Sequence, residues 1–276
     1  MQGIEELAHA KVNLFLRVLR RREDGFHEIE TFMAPITLCD SLELESANAF
    51  EFRCDEPGLA GDDNLVVRAA RLFFSETNRA PKVRLTLRKE IPHGAGLGGG
   101  SSDAAAALRG LNRFFNAGLS SEKLTTLGAQ LGSDVSFFVN ETAATCSGRG
   151  EIVKPASLRV PLSLLLLKSE FGVPSSWAYS RWQTTREAAG EIYQSQKFGD
   201  ITFVNDLERP VFEKFVFLAH VKSWLLKQPE VGAALMSGSG STIFAVLRSN
   251  VDGDLVAERA KSELDRELWS CVCDTL

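Results

Sequence analysis

The sequence has little that would assign it to a membrane or to a nucleic acid. Its longest apolar run, Leu162–Leu167, is interrupted by a serine and is far short of the roughly 18 apolar residues of a membrane-spanning helix. The formal net charge is −5, so the chain has no general attraction for nucleic acids or anionic lipids. Lys11 and Arg17 interrupt the N-terminal apolar stretch, which is unlike a secretory signal. We therefore expect a cytoplasmic protein that binds neither membranes nor nucleic acids.

Patterns typical of disulfides and zinc sites are also missing. The five cysteines are irregularly spaced and include no CxxC pair, and the four histidines form no HxxxH or HExxH pattern. Reduced, mostly structural thiols in a cytosolic protein are the simplest interpretation. We predict no zinc site and assign no protein ligand to a metal.

The composition is that of an ordinary globular protein. Of the 276 residues, 44% are hydrophobic and 24% charged, which allows one large domain or two ordinary ones. The texture of the sequence changes near Pro155–Pro161. We therefore predict an N-terminal domain over 1–154 and a C-terminal domain over 155–276.

Hydrophobic periodicity predicts alternating strands and helices. In the segment 10–19, Lys11 and Asn13 share one face of a strand, opposite Val12 and Leu14. Asn64 is a typical helix cap before an apolar repeat. We predict further strands over 36–44, 49–52, 83–87, 162–167 and 243–247, and helices over 64–74, 103–115, 121–131, 177–196, 207–224 and 255–268.

A glycine-rich segment is the most informative feature. Five of the seven residues from Gly94 to Gly100 are glycine, and glycine loses more backbone entropy on ordering than any other residue. Backbone N–H groups that lead into a helix N-terminus form an anion site, which would explain this density. We call the segment the glycine loop: Pro92-His93-Gly94-Ala95-Gly96-Leu97-Gly98-Gly99-Gly100-Ser101-Ser102. Either serine is a candidate cap for the helix from Asp103.

Other interpretations of these glycines are weaker. Gly94–Gly99 matches GxGxxG, but the strand before it is half polar and residues near 120 resemble a helix start rather than a strand end. No GK[ST] follows, so a Walker A motif is excluded. A flexible glycine turn without function is the structural alternative.

The motif P-x-G-A-G-L-G-G-G-S-S-D-A-A-A at 92–106 resembles the phosphate loop of the GHMP kinases. Within that superfamily, A-K-V-N-L-F-L at 10–16, D-G-F-H-E-I at 24–29 and L-G-S-D-V-S-F-F-V at 131–139 are similar to the kinases of a cytidine diphosphate-linked methylerythritol. M-S-G-S-G-S-T-I-F-A at 236–245 resembles the C-terminal glycine motif of the superfamily.

The resemblance implies a two-domain α+β fold with a C-terminal ferredoxin-like domain and an active site in the cleft between the domains. It also implies transfer of a phosphoryl group from ATP, bound as Mg-ATP, to the 2-hydroxyl of the methylerythritol unit. The products would be the 2-phosphate and ADP, in non-mevalonate isoprenoid synthesis. We expect a monomer or weak homodimer, although the sequence does not decide between them.

Two residues match the catalytic pair of the family. Asp134 would accept the proton of the acceptor hydroxyl, although a helix N-cap is the alternative role for it. Lys11 would keep Asp134 ionised and neutralise charge on the transferred phosphate, although a lysine on the outer face of a strand is usually only solvated.

Other positions match binding residues of the family. On the substrate side these are Asn13, Phe26, His27, Ser175 or Ser176, and Asp206. Phe26 stands where many members carry tyrosine, so stacking on a base is retained but a hydroxyl contact is lost. Asn64 and Lys89 join the glycine loop as nucleotide contacts, while capping and strand-end roles explain both without function. Ser237–Ser241 would line the cleft, or form only a tight turn, and Ser102 is a candidate contact for Mg²⁺.

Two alternatives remain open from the sequence. One is a GHMP kinase for another acceptor, such as mevalonate, homoserine or a sugar. The other is a non-catalytic nucleotide-binding protein on the same fold, although both Lys11 and Asp134 are present.

Overall fold

A computed structural model describes residues 3–185 and 190–276. Its strands are β1 (Ile4–Arg21), β2 (His27–Ser46), β3 (Glu51–Cys54), β4 (Val83–Arg88), β5 (Ala144–Gly148), β6 (Ile152–Pro155), β7 (Ser163–Lys168), β8 (Gln196–Phe198), β9 (Ile201–Asn205), β10 (Val231–Met236), β11 (Ile243–Leu247) and β12 (Trp269–Asp274). Its α-helices are α1 (Leu65–Thr77), α2 (Gly99–Phe114), α3 (Ser121–Leu131), α4 (Val135–Asn140), α5 (Ser175–Thr185), α6 (Glu208–Lys214), α7 (Val216–Leu225) and α8 (Gly253–Glu263).

The larger sheet is built around one long antiparallel hairpin. β1 and β2 pair from Ile4↔Leu44 to Arg21↔His27, and Gly25 takes the positive φ of 85° that their turn needs. The strand order is β3-β4-β2-β1-β9-β8, with β5 and β6 added on β2. Helices α1 and α2 cover one face, and the buried alanines Ala104–Ala107 let α2 lie close against the hairpin.

The smaller sheet has four antiparallel strands in the order β10-β11-β7-β12. Along the chain, β7 is followed by helices α5–α7, β10, β11, α8 and β12, with β8 and β9 inserted between α5 and α6. This is the β-α-β-β-α-β arrangement of a ferredoxin-like domain. The two-domain α+β fold expected from the resemblance is therefore confirmed.

Buried side chains join the two sheets. Val12 and Leu14 of β1 share an apolar cluster with Leu164 and Leu166 of β7 and Phe244 of β11. The opposite face of the smaller sheet packs on α5–α8. The layers therefore run helices, large sheet, small sheet, helices, and the cleft between the sheets is fixed by apolar packing rather than by a flexible linker.

Bulges in β1 redirect its side chains. The pairing with β2 shifts between His9 and Lys11 and again between Asn13 and Phe15. Such bulges bend a strand and re-aim its residues. As predicted, Lys11 and Asn13 point away from Val12 and Leu14, but both are 3% exposed rather than solvated.

The two sheets do not correspond to two continuous halves of the chain. Strand β9 pairs in parallel with β1 through Phe15↔Val204 and Leu16↔Asn205, so the stretch 196–205 extends the larger sheet. The boundary after residue 154 falls inside β6, before its last residue Pro155, and stays a proposal. Within the described ranges, no helix has the length and apolar content to cross a bilayer.

Several predicted elements need correction. Helix α2 begins at Gly99 rather than near Asp103, and its N-cap is Gly98, so neither Ser101 nor Ser102 caps it. The helix predicted over 177–196 spans Ser175–Thr185, with 186–189 outside the described residues and strand β8 at its predicted end. The helix predicted over 207–224 is two helices divided at Phe215, and the one predicted to 268 ends at Glu263. Periodicity did not reveal the hairpins β5–β6 and β8–β9 or strand β12.

A buried ion pair connects α6 to α7, and its removal tests the packing of these helices. Lys222 is fully buried and donates to Glu208 Oε2 at 2.6 Å, and Glu208 Oε1 accepts from Met236 N–H at 2.9 Å. Lys222→Met would leave the carboxylate buried without its cation, so we expect the free energy of unfolding to fall by about 3–5 kcal/mol. Denaturant titration measures it. Lys227→Met, at an exposed position two residues after the end of α7, should change the free energy of unfolding by less than about 0.5 kcal/mol.

Candidate active site

A cleft of about 870 Å³ opens between the two sheets. It is walled by the face of β1 and β2, the glycine loop, the first turn of α2, helix α5 and the serine loop, which we define as Ser237–Ser241. Most predicted site residues meet there: Lys11, Asn13, Phe26, His27, Asn64, Lys89, Pro92, His93, Gly94, Ala95, Gly96, Gly98, Gly99, Gly100, Ser101, Asp134, Ser175 and Ser176. Leu97, Ser102 and Asp206 do not line it, and of the serine loop Gly238 and Ser239 line it while Ser237, Gly240 and Ser241 do not.

The glycine loop is held between β1 and the serine loop. Lys11 N–H donates to the Leu97 carbonyl at 3.0 Å, and Thr242 N–H donates to the Ala95 carbonyl at 3.2 Å. Gly96 has a φ of 77°, and a Cβ there would lie 2.2 Å from the Ser237 carbonyl oxygen. Only glycine allows this approach, so the loop is ordered by close backbone contact and is not a flexible turn.

The first turn of α2 supplies unpaired donors to the cleft. The helix starts at Gly99, and its first internal hydrogen bond is from Ser102 N–H to the Gly98 carbonyl at 2.9 Å. The N–H groups before Ser102 therefore lack partners within the helix. With the helix dipole they form an anion site on the cleft wall.

Lys11 is buried next to this anion site. Its ammonium donates to Asn13 Oδ1 at 2.6 Å and to the Gly96 carbonyl at 2.8 Å. Asn13 in turn donates to Thr31 Oγ1 at 2.8 Å, which fixes its amide. Burial lowers the pKa of Lys11, and the charge of Asp134 opposes that shift. The amine is thus oriented by neutral acceptors and keeps one carboxylate within electrostatic range.

Asp134 stands at the N-cap position of α4, but its side chain makes no capping hydrogen bond. The capping role considered from the sequence therefore does not explain it. Its Oδ1 faces the backbone of Gly150, where a Cβ would lie 3.6 Å away. Its charge raises the pKa of two neighbours that burial already raises, the Cys146 thiol to about 12 and the Tyr179 phenol. The carboxylate is thus free to meet a ligand in the cleft.

An aromatic group forms the other end of the cleft. The His27 ring stacks on Tyr179 with centroids 5.5 Å apart and meets the edge of Trp182 at 6.1 Å. Phe26 is 50% exposed, and the Arg149 guanidinium lies 4.7 Å from its ring centroid. Burial, followed by repulsion from Arg21, lowers the pKa of His27, which favours a neutral ring. These rings can hold a flat, polar-edged ligand.

Three residues of this end were missed from the sequence. Tyr179 and Trp182 are one turn apart on α5, a spacing that identifies a shared helix face but does not say what that face meets. Arg149 lies in the turn between β5 and β6, a hairpin that the periodicity did not show. No signal in the sequence placed Arg149 beside Phe26.

Serines of α5 and of the serine loop, both after residue 155, meet at the cleft. The hydroxyls of Ser175 and Ser239 are 2.8 Å apart, and the Ser237 hydroxyl donates to the Gly96 carbonyl at 3.0 Å. Ser176 lines the cleft beside Ser175. The serine loop is therefore both a tight turn against the core and a cleft wall, so the two roles weighed from the sequence coexist.

Two predicted contacts, Asp206 and Ser102, lie away from the cleft. Asp206 accepts from Arg17 at 2.8 Å, from Val18 N–H at 3.0 Å and from Arg209 at 3.1 Å. It joins β1 to the α6 end and is not brought to the cleft, because these donors already surround its carboxylate. Ser102 is buried inside α2, away from the cleft lining, so it is not a Mg²⁺ contact.

Asn64 and Lys89 line the cleft, but their polar atoms are engaged elsewhere. Asn64 Oδ1 caps α1 by accepting from Val66 N–H at 2.8 Å, and its amide donates to the Leu59 carbonyl at 2.7 Å. The ammonium of Lys89 is paired with Asp40 and Asp103. A phosphate or ribose contact by Lys89 is therefore not supported. In the part of the chain that the structure describes, no three His, Cys, Asp or Glu side chains are arranged to hold a metal.

Comparisons with known proteins agree with this architecture. The family model described as GHMP kinases N terminal domain matches residues 64–142, and the family model described as GHMP kinases C terminal matches residues 180–266. A 4-diphosphocytidyl-2-C-methyl-D-erythritol kinase from Methylacidiphilum infernorum is 43% identical over 88% of this chain and 86% of the relative. One of the same name from Geobacter metallireducens is 34% identical over 96% of each chain.

Solved structures give the same result. A crystal structure of 4-(cytidine 5'-diphospho)-2C-methyl-D-erythritol kinase superposes with a TM-score of 0.79, at 33% identity over 99% of each chain. The mevalonate kinase of Methanococcus jannaschii has a TM-score of 0.71 over 100% of this chain and 98% of that chain, but at 12% identity the likeness concerns the fold alone.

The backbone contact at Gly96 can be tested with a matched pair of variants. Gly94 and Gly96 both have positive φ, but a Cβ at Gly94 would meet nothing closer than 3.9 Å. Gly94→Ala should cost about 1–2 kcal/mol of stability through φ alone. Gly96→Ala should cost more and weaken nucleotide binding, because the serine loop must move. Denaturant unfolding and calorimetric titration measure both effects, and equal losses would contradict the contact.

Proposed function

This chain belongs to the GHMP kinases, among the 4-diphosphocytidyl-2-C-methyl-D-erythritol kinases, and from that membership we propose that Lys11 and Asp134 carry out its phosphoryl transfer. The chain is an ATP-dependent kinase of a small cytidylated alcohol. We propose the 2-hydroxyl of the methylerythritol unit as the acceptor and non-mevalonate isoprenoid synthesis as the pathway, as the sequence motifs imply.

One observation carries the assignment of roles: the cleft brings an anion-binding helix terminus, a buried cation and a carboxylate free of capping together between the domains. We place the ATP phosphates at the first turn of α2, whose N–H groups would hold them. Lys11 lies beside Gly96 and Gly98, where its charge would stabilise the phosphoryl group during transfer.

Asp134 is the proposed base. As the acceptor oxygen forms its bond to the γ-phosphorus, its proton would pass to the Asp134 carboxylate, and the bond from phosphorus to the ADP oxygen would break. Asp134 makes no capping bond, so its oxygens are available for that proton. Since Lys11 is fixed by Asn13 and Gly96, the cation does not need to move during the step.

Mg²⁺ is proposed to enter with the nucleotide, as Mg-ATP. Phosphate and water oxygens would supply most of the ligands of this hard cation, and no protein ligand is assigned to it. The ion would offset charge on the phosphate oxygens.

The aromatic end is proposed to bind the cytidine part of the acceptor. The His27 edge would contact the cytosine and the Phe26 face would stack on it. Tyr179 and Arg149 complete this wall. Ser175, Ser176 and Ser239 would line the alcohol between the two ends. A monomer or weak homodimer remains the proposed assembly.

An acceptor panel tests the function. With Mg-ATP, the purified protein should release ADP in the presence of 4-diphosphocytidyl-2-C-methyl-D-erythritol, but not above background with mevalonate, homoserine, galactose or methylerythritol without its cytidine. An enzyme-coupled ADP assay measures this. Turnover of mevalonate or homoserine instead would assign another acceptor, and no turnover with any alcohol would favour the non-catalytic alternative.

The proposed base predicts a separation of catalysis from binding. Asp134→Asn should lower kcat by about 10²–10⁴-fold, because the amide cannot accept the hydroxyl proton, while ATP still binds. Asp62→Asn is a matched control, since this exposed aspartate pairs with Arg71 outside the cleft and should leave kcat unchanged. Steady-state kinetics and ATP titration decide it, and full activity in Asp134→Asn would remove the assignment.

A further inference from the structure

Three charged side chains meet beneath the first turn of α2. Lys89 Nζ donates to Asp103 Oδ2 at 2.6 Å and to a carboxylate oxygen of Asp40, and all three side chains are buried. A Cβ at Gly99, the first residue of α2, would lie 3.4 Å from this ammonium. One ammonium shared by two ionised carboxylates would leave a net negative charge at the anion-binding end of the helix.

The two acids have different hydrogen-bond surroundings. Asp40 Oδ1 accepts from Glu90 N–H at 2.6 Å and from Ile91 N–H at 2.8 Å, and such bonds stabilise a carboxylate. Asp103 Oδ1, in contrast, is buried without a hydrogen-bond partner, which is costly for a charged oxygen. The one proton that makes the cluster neutral, in addition to those of the Lys89 ammonium, therefore resides on the Asp103 carboxyl group.

We propose that Asp103 is a positioning residue for nucleotide binding: held as a neutral carboxylic acid, it keeps negative charge away from the ATP phosphates, and its ionisation weakens their binding. This inference rests on the proposed placement of ATP at the first turn of α2. It assigns Asp103 no direct contact with the nucleotide. Lys89, whose charge is balanced by Asp40, becomes part of the same neutral cluster rather than a phosphate ligand.

Neighbouring groups set the sign of the effect. Burial raises the pKa of Asp103 to about 8, Lys89 opposes this, and the charge of Asp40 adds to it. Because the neutral acid is the form that allows binding, ATP should bind best below about pH 8 and more weakly above it. The other titratable or charged groups around the cluster and the adjoining cleft are Cys54 on β3, Asp55 after β3, Lys11 on β1, Asp63 before α1 and Asp134 before α4.

Titration of the intact protein with a non-hydrolysable ATP analogue at pH 7 and pH 9 tests the proposal. If only the neutral acid binds, the dissociation constant should rise about tenfold between these values. In Asp103→Asn the Lys89–Asp40 pair remains and the ionisation is lost, so most of that rise should disappear. Lys11 is present in both proteins, so its own titration cancels in the comparison. Asp62→Asn, an exposed acid outside the cleft, should keep the tenfold rise.

Two further measurements keep the test decisive. Asp103→Ala also leaves the Lys89–Asp40 pair intact and replaces the amide variant if that variant does not fold. Adenosine, which has no phosphate, should bind the wild-type protein equally at both pH values. An equal rise in wild type and Asp103→Asn would overturn the inference alone. Failure of the wild type to bind the analogue at pH 7 would overturn both the inference and the proposed nucleotide site.

Discussion

The close approach of two backbones at Gly96 determines the geometry of the cleft. At this residue the glycine loop touches the serine loop of the smaller sheet and, through the Leu97 carbonyl, strand β1 of the larger one. The carbonyl oxygen of Gly96 itself accepts hydrogen bonds from both the Lys11 ammonium and the Ser237 hydroxyl. One peptide group thus positions the anion site, the buried cation and the second domain together.

Two buried lysines beside this loop illustrate how their partners decide their chemistry. Lys11 is held by an amide and a carbonyl, so burial prevails and its pKa is lowered. Lys89 is also largely removed from water, but two carboxylates outweigh burial and its pKa is raised. The first is a cation that gains from an incoming phosphate, and the second is already neutralised. Only the first is suited to contact the transferred group.

The two ends of the cleft offer different interactions to a ligand. This difference suits a kinase that binds a phosphate donor and an acceptor with a polar tag. At the α2 end, backbone donors and a cation favour negative charge without distinguishing one polyphosphate from another. At the α5 end, stacked rings and a histidine whose pKa burial lowers suit a flat ligand with a hydrogen-bonding edge. If the proposed roles hold, selectivity for the acceptor would reside at the aromatic end.

The sequence by itself determined the local features whose cause is local. The density of glycine at Gly94–Gly100 predicted an anion site, Asn64 predicted the start of α1, and alternation in β1 put Lys11 and Asn13 on one face. The ordered motifs also predicted the family. Tertiary structure decided what depends on distant partners. Arg149 meets Phe26 only because an unpredicted hairpin lies beside β2, while Asp206 and Lys89 turn away from the ligand because Arg17, Asp40 and Asp103 reach them first. Whether a charged side chain binds a substrate or a neighbour depends on which opposite charge the fold brings within a few ångströms, and a linear sequence does not contain those distances.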